Sequence, residues 1–83
     1  MEFLHYSLGY LERGKNIQVS IEGTECDVLL LDNINLLNYK FGKRFSYYGG
    51  HYKYSPVTIT IPYYGQWNLV IANGRVKVSV KVI

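Results

Sequence analysis

The sequence has a single cysteine and no cluster of metal-ligating side chains. Cys26 cannot form a disulfide within the chain, and His5, Cys26 and His51 are too scattered for a zinc-type site. Because Cys26 opens an apolar segment, we interpret it as a small buried hydrophobic residue rather than a reactive thiol. We therefore expect no disulfide-based fold, no bound metal and no other cofactor.

Long apolar stretches are also missing. No segment approaches the roughly 20 apolar residues that span a bilayer, and the N-terminus lacks the basic start and apolar core of a secretory signal. We expect a soluble cytoplasmic protein with a reduced thiol and no membrane partner. The chain has 83 residues, of which 48% are hydrophobic, and this predicts a single compact β domain over residues 1–83.

Acidic residues are absent after Asp32. The first 32 residues hold six acids and two basic residues, a formal charge of −4, whereas residues 33–83 hold seven basic residues and no acid, a formal charge of +7. This asymmetry suggests an anionic partner or head-to-tail contact between copies of the chain. The alternative is that strands from the two halves interleave in one sheet and neutralise the field locally.

Alternation of apolar and polar residues indicates β-strands along most of the chain. The predicted strands cover residues 3–11, 17–21, 26–31, 45–48, 51–54, 57–61, 66–72 and 75–83. Short turns between several of them favour antiparallel hairpins, and Gly49-Gly50 and Asn73-Gly74 are the clearest hairpin signals. The strand over 26–31 is apolar on both faces, so it should be central or covered by another element.

One short helix near residues 33–41 is predicted to supply that cover. Asp32-Asn33 offers an N-cap, Ile34, Leu37 and Phe41 fall at helical spacing, and Gly42 sits where a helix end favours a left-handed residue. The fold class is therefore all-β for the most part. We expect an antiparallel β-sandwich or small barrel of about eight short strands with at most one short helix.

Aromatic and basic side chains are concentrated between residues 43 and 67, which hold six of the nine tyrosines and the only tryptophan. Tyrosine combines a large apolar ring with a polar tip and suits recognition surfaces, and Lys or Arg would neutralise an anion. The predicted ligand-binding residues are Lys43, Arg44, Tyr47, Tyr48, His51, Tyr52, Lys53, Tyr54, Tyr63 and Tyr64. The alternative is that these tyrosines fill sheet faces through cross-strand pairs.

Catalysis is not indicated by the sequence. A nucleophile–base–acid set would need a histidine beside Ser or Cys and an acid, and the acids lie far from His51 in sequence. We interpret the acids between residues 22 and 32 as solvating turns, and Gly49-Gly50 lacks the pattern of a phosphate-binding loop. We expect no enzymatic activity and no catalytic residues.

Several short motifs, in their order and spacing, resemble a known family over nearly the whole chain. They are Phe3-Leu4-His5-Tyr6, Leu31-Asp32, Asn38-Tyr39, Gly42, Tyr47-Tyr48-Gly49-Gly50, Ser55-Pro56-Val57, Ile61-Pro62 and Gly65-Gln66-Trp67, followed by a valine-rich end. The chain resembles the bacterial family DUF1883, a domain of unknown function. The resemblance implies a compact, mostly β domain, alone or fused to TIR domains. It further implies a sensing or partner-binding module, with a TIR-type effector as a partner, and no established catalytic residues.

Three functional hypotheses follow. The first is a binding module for a small anionic ligand such as a nucleotide or sugar derivative, in bacterial defence or signalling. The second is a self-assembly or protein-interaction module that exposes Leu29, Leu31, Val70 and Ile83, and we expect the chain to self-associate. The third, single-stranded nucleic-acid binding, ranks last because a net charge of +3 is modest for that role.

Overall fold

The protein is a two-layered β-sandwich with one helix on an outer face. The computed structural model describes residues 3–83, in which seven strands form two antiparallel sheets. The elements are β1 (Phe3–Leu11), β2 (Asn16–Gly23), β3 (Cys26–Asp32), α1 (Asn33–Lys40), β4 (Tyr48–Tyr52), β5 (Val57–Thr60), β6 (Gly65–Ala72) and β7 (Val76–Val82). The larger sheet has the order β1-β6-β3-β4 and the smaller one β5-β2-β7. The mostly β fold class is confirmed as a sandwich, and the two sheets do not close into a barrel.

The space between the sheets holds the main hydrophobic core. Alternate residues of β3 and β6 point into it, among them Leu30, Trp67 and Leu69, and meet Ile17 and other residues of the smaller sheet. Cys26 belongs to the same cluster with no exposed surface, which confirms that it is a buried hydrophobic residue. Its burial, with a smaller effect of Asp27, raises the pKa of the thiol.

The predicted tight hairpins are wrong, because the short turns carry the chain from one sheet to the other. Among the described strands, only β3 and β4 are consecutive and paired, and α1 lies between them. The turn at Asn73-Gly74 packs against the turn after β2 instead of closing a hairpin. The Thr24 amide donates to the Arg75 carbonyl at 3.2 Å, and the Arg75 amide donates to Thr24 Oγ1 at 2.9 Å. The two turns therefore bond to each other, and at each of them the chain passes from one sheet to the other.

Gly49 and Gly50 lie inside β4, so the predicted hairpin between residues 45–48 and 51–54 is also wrong. They pair with Leu29 and Val28 of β3, and residues 43–47 form no strand. Gly49 has a φ of 118°, and a Cβ at this position would collide with the Val28 carbonyl. The glycines are therefore needed for a close approach of two backbones rather than for a turn, and the described strands number seven instead of eight.

Helix α1 begins and ends as predicted. Asp32 is the N-cap, and its Oδ1 accepts a hydrogen bond from the Asn35 backbone amide at 2.8 Å. At the other end Gly42 has a φ of 69° and donates to the Tyr39 carbonyl, while the Lys43 amide donates to the Asn38 carbonyl. These two bonds form a Schellman motif, in which glycine avoids the steric penalty of the left-handed region.

The side of α1 that faces the sheet differs from the prediction. Leu36 and Tyr39 are buried, together with Leu29, Leu31 and Val70 of the sheet, in a second hydrophobic cluster. The predicted core residues Ile34, Leu37 and Phe41 are instead exposed. The expectation that Leu29, Leu31 and Val70 lie exposed for self-assembly is wrong for the same reason, since the helix covers them; Ile83 is exposed as expected.

Candidate functional site

The ten predicted ligand-binding residues lie in different parts of the molecule. Tyr47 and His51 line one groove, whereas Tyr48 and Tyr63 contact Trp67 and Tyr64 stacks on Tyr10. Three others, Tyr52, Lys53 and Tyr54, lie at and beyond the end of the edge strand β4. The remaining two, Lys43 and Arg44, are exposed in the segment that joins α1 to β4. Of the ten, only Tyr47 and His51 belong to the lining of this groove.

The groove lies on the outer face of the larger sheet, beside α1. It encloses about 350 Å³, and the segment after the helix forms one wall while β3 and β4 form the floor. Its lining residues are Asp27, Leu29, Tyr39, Phe45, Tyr47, Gly50, His51 and Asn73. This groove is the candidate site, and we call it the α1–β4 groove.

Aromatic rings form one side of the α1–β4 groove. Phe45 packs edge-on against the buried Tyr39, with ring centroids 5.0 Å apart, and lies 5.7 Å from Tyr47. The Ser46 amide donates to Asn35 Oδ1 at 2.8 Å, so the segment carrying Phe45 and Tyr47 is attached to the first turn of α1. Burial, followed by the nearby Asp27, raises the pKa of Tyr39, which keeps this wall neutral.

Polar groups form the other side of the groove. Asp27 of β3 is the register partner of His51 of β4, and His51 Nδ1 lies 2.6 Å from Asp27 Oδ1. Asn73 Nδ2 donates to Asp27 Oδ2 at 2.5 Å, and His51 Nε2 lies 3.6 Å from Glu25 Oε1. The hydrogen bond to Asp27, together with the charge of Glu25, raises the pKa of His51 above its ordinary value. The raised pKa favours the protonated form of His51, in which both ring nitrogens are hydrogen-bond donors.

Sequence reasoning missed Asp27 and Asn73. Asp27 falls within the strand predicted over residues 26–31, but its carboxylate is interpreted there only as solvating, whereas it bonds to His51 across the strand pair and to Asn73 from the turn after β6. The missing information was the pairing of β3 with β4, which places Asp27 opposite His51 across 24 residues of sequence. A polar residue on an otherwise apolar strand was the available signal.

The charge asymmetry of the sequence is partly neutralised by strand pairing. Strands from the two halves alternate in both sheets, and Glu22 of β2 is the register partner of Lys77 of β7. Lys53 Nζ lies 3.8 Å from Glu25 Oε2. In this part of the molecule, strands from the acidic and basic halves therefore neutralise each other locally, as the alternative interpretation of the charge asymmetry states. Lys43 and Arg44 differ, since no carboxylate of the described residues pairs with either.

A second aromatic cluster surrounds Trp67 and has a structural role. Tyr48 and Tyr63 pack on its ring at centroid distances of 6.0 and 4.9 Å, and Trp67 Nε1 donates to the Tyr63 carbonyl at 3.1 Å. The Tyr63 hydroxyl donates to Asp32 Oδ2 at 2.9 Å, and burial and this bond raise the pKa of Tyr63. These rings seal the edge of the core and tie it to the start of α1.

A buried asparagine, also missed from the sequence, joins β1 to α1. Asn68 is only 3% exposed, and its Oδ1 lies 3.1 Å from His5 Nε2. Its amide nitrogen donates to Asn33 Oδ1 at 2.8 Å and to the Leu31 carbonyl at 3.3 Å. The network is satisfied throughout and lies outside the α1–β4 groove, so we interpret it, and His5 with it, as structural.

Neither a metal centre nor a membrane span is found in the described part of the chain. Within residues 3–83, no group of three or more His, Cys, Asp or Glu side chains has the arrangement to hold a metal ion. The described helix is also too short and too polar to cross a bilayer. What the α1–β4 groove offers chemically is ring stacking combined with hydrogen bonding.

Comparison with known proteins gives a family but no characterised relative. No curated protein and no solved structure matches the chain significantly. The family described as "Domain of unknown function (DUF1883)" matches residues 1–83, the full length of the sequence. The resemblance predicted from the order of short motifs is thus confirmed by a match over residues 1–83, and the chain belongs to the DUF1883 family.

Proposed function

We propose that the protein is a non-enzymatic binding module for a small ring-containing anion, such as a nucleotide or a phosphorylated sugar, held in the α1–β4 groove. The observation that carries the proposal is the composition of this groove. Its aromatic wall of Phe45 and Tyr47 lies opposite the hydrogen-bonded residues Asp27, His51 and Asn73. Its volume of about 350 Å³ lies within the range of roughly 300–1,000 Å³ that is usual for small-molecule sites.

Each side of the groove would recognise a different part of such a ligand. Phe45 and Tyr47 offer faces on which a base or sugar ring can stack. Asp27 retains lone pairs beyond those used by His51 and Asn73, so it can accept bonds from ring hydroxyl or amino groups. Stacking on one side and directional bonding on the other is a combination that distinguishes polar rings from simple apolar molecules.

The anionic part of the ligand would bind at the rim. Lys43 and Arg44 directly precede Phe45, are exposed, and are free of carboxylate partners among the described residues. The raised pKa of His51 favours a positive charge beside Asp27, which offsets the charge of that carboxylate. A phosphate beside the two rim cations would therefore not be repelled strongly by Asp27.

Two observations favour binding over catalysis. The groove lining contains no serine, cysteine or lysine that could act as a nucleophile beside His51. Both oxygens of Asp27 are held by neighbours, and Cys26 points into the core between the sheets. Single-stranded nucleic acid is less well supported, since it needs rings in a row along a basic groove, whereas these rings occupy separate places.

Calorimetric titration against a panel of nucleotides, nucleosides and sugar phosphates tests the proposal. Tyr47→Ala and Asp27→Asn should each weaken binding of the selected ligand about tenfold or more, since each loss removes at least about 1.4 kcal/mol. Arg44→Ala should weaken a phosphorylated ligand more than its unphosphorylated form. Tyr54→Ala is the matched control, because Tyr54 is 83% exposed and outside the groove. Equal effects of Tyr47→Ala and Tyr54→Ala, or no binding to any member of the panel, would contradict the proposal.

The biological setting that we propose is bacterial defence or signalling, with a TIR-type effector as the responding partner. This part rests on what the resemblance described under sequence analysis implies, and the α1–β4 groove is the candidate sensing site. Co-purification of the domain with a TIR protein, with and without the selected ligand, tests the link. Binding that is insensitive both to the ligand and to Tyr47→Ala would argue against a sensing role.

A further inference from the structure

Helix α1 presents an apolar stripe to solvent. Ile34, Leu37 and Phe41 follow one side of the helix and are 73%, 55% and 69% exposed. The stripe continues beyond Ile34, since Ile34 and Tyr10 line one shallow cavity, and Tyr64 stacks on Tyr10 at a centroid distance of 5.9 Å. We call these five side chains the α1 patch.

The α1 patch is large for a chain of this size. Its three aromatic residues are 64–69% exposed, and because a buried aromatic side chain covers about 200 Å², they alone leave roughly 400 Å² open. Ile34 and Leu37 enlarge this area. Contiguous apolar patches of about 300–600 Å² are the largest on ordinary monomers and are often functional. A standard interface needs about 800 Å² from each partner, which the patch and its polar margin can supply.

Charges of opposite sign mark the two ends of the α1 patch. Asp32 lines the cavity at its N-terminal end, beside Tyr10 and Ile34. Lys40, Lys43 and Arg44 are close to Phe41 in the sequence, at the C-terminal end of the helix, and all three are exposed without a carboxylate partner in the described residues. The patch is therefore acidic at one end and basic at the other.

We propose that the α1 patch is the interface of a homodimer in which two α1 helices pack antiparallel about a two-fold axis. In this arrangement Ile34 of one copy lies against Phe41 of the second, and Leu37 lies near the axis. Asp32 of each copy then faces Lys43 of the other. The stripe is about 10 Å long, because Phe41 lies seven positions after Ile34 and each position adds about 1.5 Å. Two antiparallel stripes of equal length can therefore lie against each other along their whole length.

The charge pattern favours a second copy over other occupants. A two-fold axis brings opposite charges together at both ends of the patch and places the two helix dipoles antiparallel, side by side. An anionic membrane would attract the three cations but meet Asp32 at the other end. None of the five patch side chains lines the α1–β4 groove. In the dimer Lys43 pairs with Asp32 of the second copy, so Arg44 is the one of the two proposed anion-binding cations that stays free for a ligand.

Measurement of molar mass by light scattering over a concentration series tests the proposal. Wild type should move from one to two chain masses as concentration rises. Leu37→Asp should weaken the dimer at least about tenfold, because two carboxylates would meet at the axis. Tyr54→Asp is the control of equal charge on an exposed residue outside the patch, and it should dimerise like wild type. Leu37 is half-exposed, so both variants should fold with the circular dichroism of wild type.

Disulfide cross-linking tests the geometry independently. Leu37→Cys should form an intermolecular disulfide with itself, and Ile34→Cys should cross-link with Phe41→Cys more readily than with itself. Wild type should not cross-link, since Cys26 is fully buried. Three outcomes overturn the proposal: one chain mass at every concentration, a dimer that survives Leu37→Asp unchanged, or a monomer that sediments with anionic vesicles through the same patch.

Discussion

Removal of the Asp32 carboxylate tests whether α1, the Trp67 cluster and the α1–β4 groove are mechanically connected. Asp32 Oδ1 accepts bonds from the backbone and side-chain nitrogens of Asn35 at 2.8 and 3.0 Å, and Oδ2 accepts the Tyr63 hydroxyl at 2.9 Å. Loss of an N-cap side chain lowers the free energy of unfolding by about 0.5–2 kcal/mol. A hydrogen bond to a charged group contributes about 1.5–3 kcal/mol, and the solvent-exposed Tyr63 bond should lie below that range. We therefore expect Asp32→Ala to destabilise the protein by about 2–3 kcal/mol.

Urea unfolding monitored by the fluorescence of Trp67, the only tryptophan, measures this change. Asp32→Asn is the matched control: its single side-chain oxygen can keep the helix cap while the acceptor for the Tyr63 hydroxyl is lost, so it should lose less stability than Asp32→Ala. Hydrogen exchange adds a local test. Asp32→Ala should speed exchange of the Asn35 amide, and also that of the Ser46 amide, which donates to Asn35 Oδ1. A stability within about 0.5 kcal/mol of wild type, or a Ser46 amide as protected as before, would refute the connection.

Three further predictions concern single side chains. Because Asp27 raises the pKa of His51, the stabilisation that His51 provides should be complete below a pH of about 6.5 and should disappear as pH rises through the folded-state pKa. The urea midpoints of wild type and His51→Gln, compared across pH, measure this change. A difference between them that stays constant with pH would contradict the prediction. The Cys26 thiol should resist an aromatic disulfide reagent in the native protein and react on unfolding; rapid native reaction would refute its burial. Gly49→Ala should destabilise more than Gly14→Ala in thermal melts, since both have positive φ but only Gly49 faces a backbone carbonyl; equal losses would contradict a close approach.

Local patterns predicted the strands well because alternation is a property of each strand alone. The limits of β1, and those of β3 to within one residue, follow from apolar periodicity. Which strands pair was not predictable in this way, because a hairpin turn and a corner between sheets use the same residues. Asn73 has the positive φ that a hairpin turn favours, yet the bonds at this turn go to residues remote in sequence: the Asn73 side chain donates to Asp27, and the Arg75 backbone bonds to Thr24.

The face of α1 was ambiguous for a physical reason. Ile34, Leu37 and Phe41 fit a helical period on one side, and Leu36 and Tyr39 fit it on the other. Periodicity alone cannot choose between two apolar sides. The choice depends on where the chain leaves β3, and Asp32 is both the last residue of β3 and the N-cap, so no linker allows the helix to rotate.

The candidate site was predicted in part. The aromatic composition of residues 45–67 pointed to recognition, and Tyr47 and His51 do share one groove. Most of the other predicted tyrosines have structural partners, such as Tyr63 with Trp67. Asp27 could not be found from sequence spacing, because its role depends on a pairing between strands that only the folded chain brings together.

The apolar side chains on the solvent side of α1 require an explanation other than folding. A helix of eight residues is too short to be stable alone, and the burial of Leu36 and Tyr39 already attaches it to the sheet. Polar residues at positions 34, 37 and 41 would leave that attachment unchanged and would remove an aggregation risk. The stripe and the groove thus use different side chains of the same helix. If Leu37→Asp changed ligand affinity as strongly as molar mass, the two would be parts of a single site formed only in the dimer.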